Sequence, residues 1–190
     1  NTIVMFSSDN GPVVDDGYKD EAVVRLGSHR PAGKLRGGKY SNFEGGTRVP
    51  LIVNWPAGIK PGVSDALVGQ QDFFRSFASL TSQKLSTTEA SDSVDVMPAL
   101  LGKSRTGRDW IVEHARALSI RKGEYKLIEA NPGVRVNVNT NSETGAGENP
   151  QLYKVSEDIG ETKDLSTSMP DKVAELSALL GKIKQGPLPQ

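Results

Sequence analysis

Apolar residues along this chain follow two rhythms, and the change from one to the other divides it. In the first half they come as short uninterrupted runs, Thr2-Ile3-Val4-Met5-Phe6 and Val49-Pro50-Leu51-Ile52-Val53. Runs of this length predict strands covered on both faces, as in a parallel sheet. Residues 63–68 predict a further strand edge. Phe73, Phe74, Phe77 and Leu80 recur at i, i+1, i+4 and i+7 behind Asp72, which predicts a helix capped by that aspartate with an aromatic stripe in the core. Residues 81–95, rich in Ser and Thr, predict a surface loop, and residues 96–101 a short apolar segment.

Past a stretch of Gly, Lys, Ser and Arg at 102–109, the apolar positions alternate. Residues 118–121 and 125–128, joined by Lys122-Gly123-Glu124, predict a β-hairpin. Residues 134–138 and 152–155, on either side of an Asn- and Gly-rich loop at 139–150, predict two more strands and hence a four-stranded antiparallel sheet. Behind Pro170, residues 171–184 place Val173, Leu176, Leu180 and Ile183 at helical spacing, so a terminal helix covers that sheet. The domain division expected is 1–109, an α/β part, and 110–190, an antiparallel sheet with one helix.

Composition narrows the function classes. A chain of 190 residues suffices for a sizeable core or a domain with a subdomain. Its 23 Lys and Arg balance 23 Asp and Glu, which offers no general attraction for nucleic acid or an anionic membrane, so anion binding must be local. No apolar run approaches the roughly twenty residues of a membrane span, and the sequence is expected to start mid-protein, with any export signal on the missing part. The lack of cysteine is compatible with any redox compartment.

Candidate chemistry lies in loops. Ser8-Asp9-Asn10-Gly11-Pro12 follows the first strand, where open α/β sheets place ligands. Asp9 and Asn10 carry the hard oxygens that calcium prefers at about 2.3–2.6 Å, although the same residues also make an ordinary turn. Downstream, Lys39 sits between the pairs Gly37-Gly38 and Gly45-Gly46. Glycine pairs permit close backbone approach, and an ammonium offers a compact charge with three donors. In isolation such a sequence marks a surface turn. Glu44 and Arg48 are expected to hold this loop by an ion pair instead of taking part in chemistry. Asp15, Asp16, Tyr18, His29 and Arg30 form a polar insert able to read sugar hydroxyls or a second anion, or simply to be solvated. His29 could also serve as a leaving-group acid. His114, before the hairpin, is a candidate for the same rim or a surface residue.

Together, Ser8-Asp9-Asn10-Gly11-Pro12, Leu35-Arg36-Gly37-Gly38-Lys39, Phe43-Glu44-Gly45-Gly46-Thr47-Arg48-Val49-Pro50 and the later Trp55-Pro56-Ala57-Gly58 and Arg121-Lys122-Gly123-Glu124-Tyr125-Lys126-Leu127-Ile128 resemble the C-terminal portion of a type I, formylglycine-dependent sulfatase. The resemblance covers nearly the whole chain. It implies the alkaline-phosphatase-like α/β fold, and hydrolysis of a sulfate ester at calcium or another divalent metal. Asp9 and Asn10 match the family's metal ligands, and Lys39 its sulfate-contacting lysine.

The family's formylglycine comes from Cys/Ser-x-Pro/Ala-x-Arg. That motif does not occur here, since Ser168-Met169-Pro170 continues Asp171-Lys172. The nucleophile and further metal ligands are therefore expected on an N-terminal part of the same protein, a partner for this segment, which alone should be inactive. The resemblance further implies a secreted or periplasmic enzyme. The polar rim favours a sulfated carbohydrate over a simple aryl sulfate. A related phosphoester or phosphonoester hydrolase, and a non-catalytic binder of sulfated glycans, remain alternatives.

Overall fold

The computed structural model describes residues 1–86 and 88–186. The first half contains β1 (Val4–Ser7), α1 (Ala22–Leu26), α2 (Glu44–Thr47), β2 (Leu51–Asn54), α3 (Asp72–Leu80) and α4 (Met97–Leu100). Then follow β3 (Trp110–His114), β4 (Leu118–Lys122), β5 (Tyr125–Ile128), β6 (Val136–Asn137), β7 (Ser142–Glu143), β8 (Gln151–Lys154) and α5 (Pro170–Ile183). They belong to two compact units that interleave along the chain. One comprises Asn1–Phe6, Leu51–Ile111 and residues 181 onward, the other Ser7–Pro50 and Val112–Leu180. The structure thus groups Ser7–Pro50 with the C-terminal sheet, where the sequence pattern grouped it with residues up to 109.

In the first unit β1 and β2 pair. Val96, Met97, Leu100 and Leu101 form the core, against which Val53 and Phe77 pack. Three expectations are corrected here. Phe74 is 60% exposed, so the aromatic stripe of α3 is Phe73 and Phe77, in edge contact at 6.5 Å. Asp72 is the first residue of α3, behind a Gln71 that is already helical, and does not cap it. Its buried carboxylate instead accepts the N–H of Gly69 at 2.8 Å and of Val94 at 2.9 Å and pairs with Arg108, because an arginine so enclosed needs a counter-charge. Residues 63–68 form no strand; Leu67 O accepts the N–H of Arg108 instead of a ladder partner. Within this chain Val4, Phe6 and Ile52 are all more than half exposed.

In the second unit the sheet order is β3-β4-β5-β8. β4 and β5 are antiparallel with Ile120 opposite Leu127, and β5 and β8 antiparallel with Leu127 opposite Leu152; all three side chains are fully buried. Residues 134–138 are not its fourth strand. β6 pairs with β7 in a separate small hairpin, because Val134, Val136 and Val138 point outward while Asn137 is buried. The fourth strand is β3, whose Trp110 is buried. Helix α5 starts at Pro170, where a missing N–H costs nothing, and buries Leu176 and Leu180.

Candidate active site

β1 ends at Ser7 and delivers residues 8–12 into a tight turn. Ser8 Oγ donates to Asn10 O at 2.9 Å, and Asn10 Nδ2 donates to Gly11 O at 2.9 Å. Among the described residues no donor reaches the Asp9 carboxylate or Asn10 Oδ1. Three acceptor oxygens, two on Asp9 and one on Asn10, are thereby left without a protein partner among the described residues.

The same turn is laced to the lysine loop through backbone. Gly11 N–H donates to Gly46 O at 2.9 Å and Lys39 N–H donates to Pro12 O at 2.9 Å. Glycine is required at these crossings. A Cβ at Gly11 would stand 1.7 Å from Gly45 O, and one at Gly38 2.6 Å from Pro12 O. Lys39 is half-buried, with Nζ 5.4 Å from the centroid of the Tyr40 ring. Tyr40 itself holds a left-handed φ of 71°, uncommon for a residue with a side chain. Among the described residues no carboxylate pairs with Lys39. The sequence-derived candidates Asp9, Asn10 and Lys39 therefore lie on two segments held together by direct hydrogen bonds.

The second unit's sheet and loops mould that lysine loop. Arg36, at its start, forms a bidentate pair with Glu143, at 2.8 and 2.7 Å, and stacks over Phe43. Asn42 donates its N–H to Thr144 O at 2.9 Å and its Nδ2 to Ala117 O at 2.8 Å, and its Oδ1 accepts the N–H of Ala117 at 3.1 Å. Glu44, at the loop's end, is fully buried and paired with Lys126 at 3.0 Å, Arg121 at 3.4 Å and Arg48 at 3.5 Å. Lys126 also pairs with Glu113 at 2.9 Å and donates to Thr47 Oγ1 at 3.0 Å.

Burial pushes the Glu44 carboxyl up, but Lys126, Arg121 and Arg48 outweigh it and hold it below the usual range. Burial likewise opposes the charge on Lys126, and Glu113 with Glu44 raises it above an ordinary lysine. Glu44 and Arg48 thus fasten the loop, as their charge beside a buried strand suggests. Lys126, Asn42 and Arg36 gave no sequence signal for this role. A lysine in the alternating run of a hairpin predicts a solvent-facing position, yet Lys126 is fully enclosed.

The rim candidates are placed but not gathered. Asp15 and Asp16 accept the N–H groups of Gly17 and Tyr18 in successive turns. Tyr18 is 76% exposed. His29 and Arg30 are exposed, their backbones closing turns with Leu26 and Gly33. His114 ends β3 in an exposed position. Among the described residues no hydrogen bond or ion pair joins any of these six to Asp9, Asn10 or Lys39. A groove of about 960 Å³ in the second unit, lined among others by Arg36, Arg135, Glu148 and Asp164, includes none of those three either.

The donor set fits a hard divalent cation only as part of a larger shell. Three oxygens on two residues fall short of the six to eight that calcium takes, and among the described residues no group of three or more His, Cys, Asp or Glu could hold a metal. What the arrangement offers is two oxygen-bearing side chains, Asp9 and Asn10, beside the ammonium of Lys39, which has no carboxylate partner among the described residues.

Comparison with known proteins gives this geometry a setting. A family model described as sulfatase matches residues 1–83. The chain is 46% identical to an N-acetylgalactosamine-6-O-sulfatase of Bacteroides thetaiotaomicron over 97% of its own length and 36% of that protein. It is 30% identical to human arylsulfatase A over 86% of its length and 33% of that protein. A solved structure from a study of glycosaminoglycan metabolism by Bacteroides thetaiotaomicron superposes with a TM-score of 0.94 at 45% identity, covering 97% of this chain and 39% of that one. A sulfatase structure from Pseudoalteromonas sp., at 24% identity and a TM-score of 0.70, covers 100% of this chain and 39% of that one and bears on the fold alone. The chain spans about a third of the length of these relatives, and over that part its fold is the alkaline-phosphatase-like fold of sulfatases. No helix of the described residues is long and apolar enough to cross a membrane.

Proposed function

The chain belongs to the sulfatase family, and from that premise we propose that it supplies the metal- and sulfate-binding segment of a sulfate-ester hydrolase. The observation that carries this reading is the pair of backbone bonds, Gly11 to Gly46 and Lys39 to Pro12, that fix the unpartnered oxygens of Asp9 and Asn10 and an unpaired ammonium on adjoining strands of loop. Asp9 and Asn10 would hold calcium, or another divalent cation, whose charge polarises a sulfate oxygen when bound. Lys39 donates to the sulfate oxygens, where negative charge accumulates as the ester bond breaks. Its backbone is fixed beforehand, so no reorganisation is needed at that moment. The formylglycine nucleophile belongs to a part of the protein outside this chain.

The substrate class we propose is a sulfated carbohydrate, with 6-O-sulfated N-acetylgalactosamine the first to test, since the relative bearing that activity in its name is 46% identical. The protein is proposed to be secreted or periplasmic, where such polymers are met. Asp15, Asp16, Tyr18, His29, Arg30 and His114 are proposed substrate contacts on the rim.

The test is Lys39→Ala in the full-length protein, with release of sulfate from 6-O-sulfated N-acetylgalactosamine and of phosphate from a matched phosphate ester measured in parallel. Turnover of the sulfate ester should fall on the order of a hundredfold or more, the scale of one lost oxyanion donor, with little change in melting temperature. Unchanged turnover would make the lysine ordinary surface. Turnover of the phosphate ester alone would transfer the site to a phosphoester hydrolase.

A further inference from the structure

We propose that Glu161 is a positioning residue for Lys39, clamping both ends of the lysine loop from a single turn; the inference rests on the hydrolase reading above. Its carboxylate Oε2 accepts the backbone N–H of Glu44 at 2.6 Å, and its carbonyl accepts Arg36 Nη1 at 2.7 Å. Residues 36 and 44 bracket Lys39, and Gly45 N–H donates to Arg36 O at 2.7 Å between them. One residue therefore ties the start and the end of the loop at its narrowest point.

The conformation of Glu161 is costly. Its φ is 50°, a left-handed value that a residue with a side chain keeps only when its surroundings impose it. It is fully buried, and its Oε1 has no hydrogen-bond partner among the described residues. An enclosed carboxylate with one oxygen unsatisfied is poor packing for stability alone. Such a group makes sense where the other oxygen holds something in place.

The charges around it are mixed. Lys126 on β5 attracts the carboxylate, Glu44 on α2 and Glu113 on β3 repel it, and Arg36 and Tyr153 lie within electrostatic reach. Burial, partly offset by Lys126 and the Glu44 N–H, pushes the carboxyl up to about 7. The hold on Glu44 is thereby strongest above neutrality, where the acceptor is a full carboxylate.

Hydrogen exchange and turnover, both in the full-length protein, test the clamp separately. In Glu161→Ala, the amides of Lys39, Asn42 and Gly45 should exchange at least about tenfold faster while those of β5 do not, as expected for local opening. In the full-length variant, kcat/KM for the sulfate ester should fall on the order of tenfold to a hundredfold, the cost of a small misplacement. Leu176→Ala, which opens a cavity under α5, should lower stability without either effect. Equal acceleration in loop and β5, or an unchanged loop, would overturn the proposal.

Should Glu161→Ala not fold, Glu161→Gln decides. The amide, like the protonated acid, keeps a neutral acceptor, so at pH 8 its loop should be less protected than that of wild type and more than that of a chain lacking the acceptor. The wild-type loop, corrected for intrinsic rates, should fall to the level of the Gln variant as pH falls through about 7, and the Gln variant should not change. Identical pH profiles would reject the clamp. Loop acceleration in Glu161→Ala combined with an inert Lys39→Ala would support the clamp and remove only the hydrolase reading.

Discussion

Among single residues, Lys126 shows how a buried charge is tolerated. Its ammonium is fully enclosed between Glu44 and Glu113, which are 0% and 13% exposed. Removing it leaves two carboxylates facing each other without their shared cation. Lys126→Met should therefore destabilise the protein by about 3–5 kcal/mol, measured by urea unfolding at pH 7. Arg48→Ala, which removes a longer contact from a side chain 42% exposed, should cost less than about 1 kcal/mol. A loss below 1 kcal/mol for Lys126→Met would show that Arg121 and Arg48 suffice for Glu44. The sequence made Asp9, Asn10 and Lys39 legible as segments that meet, because strand ends and glycine pairs are local signals. It did not reveal Lys126 or Glu161, whose partners lie 82 and 117 residues away.

Elements differ in how far their own pattern specifies them. β4 and β5 were legible because both their alternation and their turn are local. Gly123 opens the two-residue turn with φ of 56°, the conformation that the first position of such a hairpin turn demands. Gly123→Ala and Gly123→Asn should each cost about 1 kcal/mol, since no neighbour lies within 4 Å of an added Cβ and only the backbone preference is lost. An unchanged melting temperature in both would place the constraint elsewhere.

At Gly11 the constraint is contact. The added carbon would overlap Gly45 O, so Gly11→Ala should separate the turn after β1 from the lysine loop. Turnover of the full-length protein should then fall at least as far as in Lys39→Ala, and the Lys39 amide should lose protection in exchange measurements. Residues 134–138 misled because their outward valines copy a strand's alternation, while the fourth strand, Trp110–His114, breaks its apolar pattern with Glu113, the residue that Lys126 needs.

For the whole molecule, periodicity says nothing of which distant segments share a unit. Ser7–Pro50 joins Val112–Leu180 through contacts such as Arg36 to Glu143, 107 residues apart, and no local pattern encodes a pairing at that range. The second unit thereby carries opposing pH responses. Arg36 holds the Glu143 carboxyl below its ordinary value, and the cations around Glu44 outweigh its burial to the same end. A depressed carboxyl contributes stability above its unfolded pKa and loses it as pH falls through the folded one. Glu161, raised from 4.5 to about 7 by burial, does the reverse. Its contribution is fully present below about 4.5 and disappears as pH rises through about 7, by at most about 3 kcal/mol for a shift of this size. The unfolding free energy of wild type minus that of Glu161→Gln should therefore increase by about 1–3 kcal/mol between pH 8 and pH 5, while both proteins weaken further below pH 4.5 as Glu44 and Glu143 protonate. A difference independent of pH would mean that Glu161 is charged across the whole range, and that Lys126 alone has cancelled the cost of enclosing it.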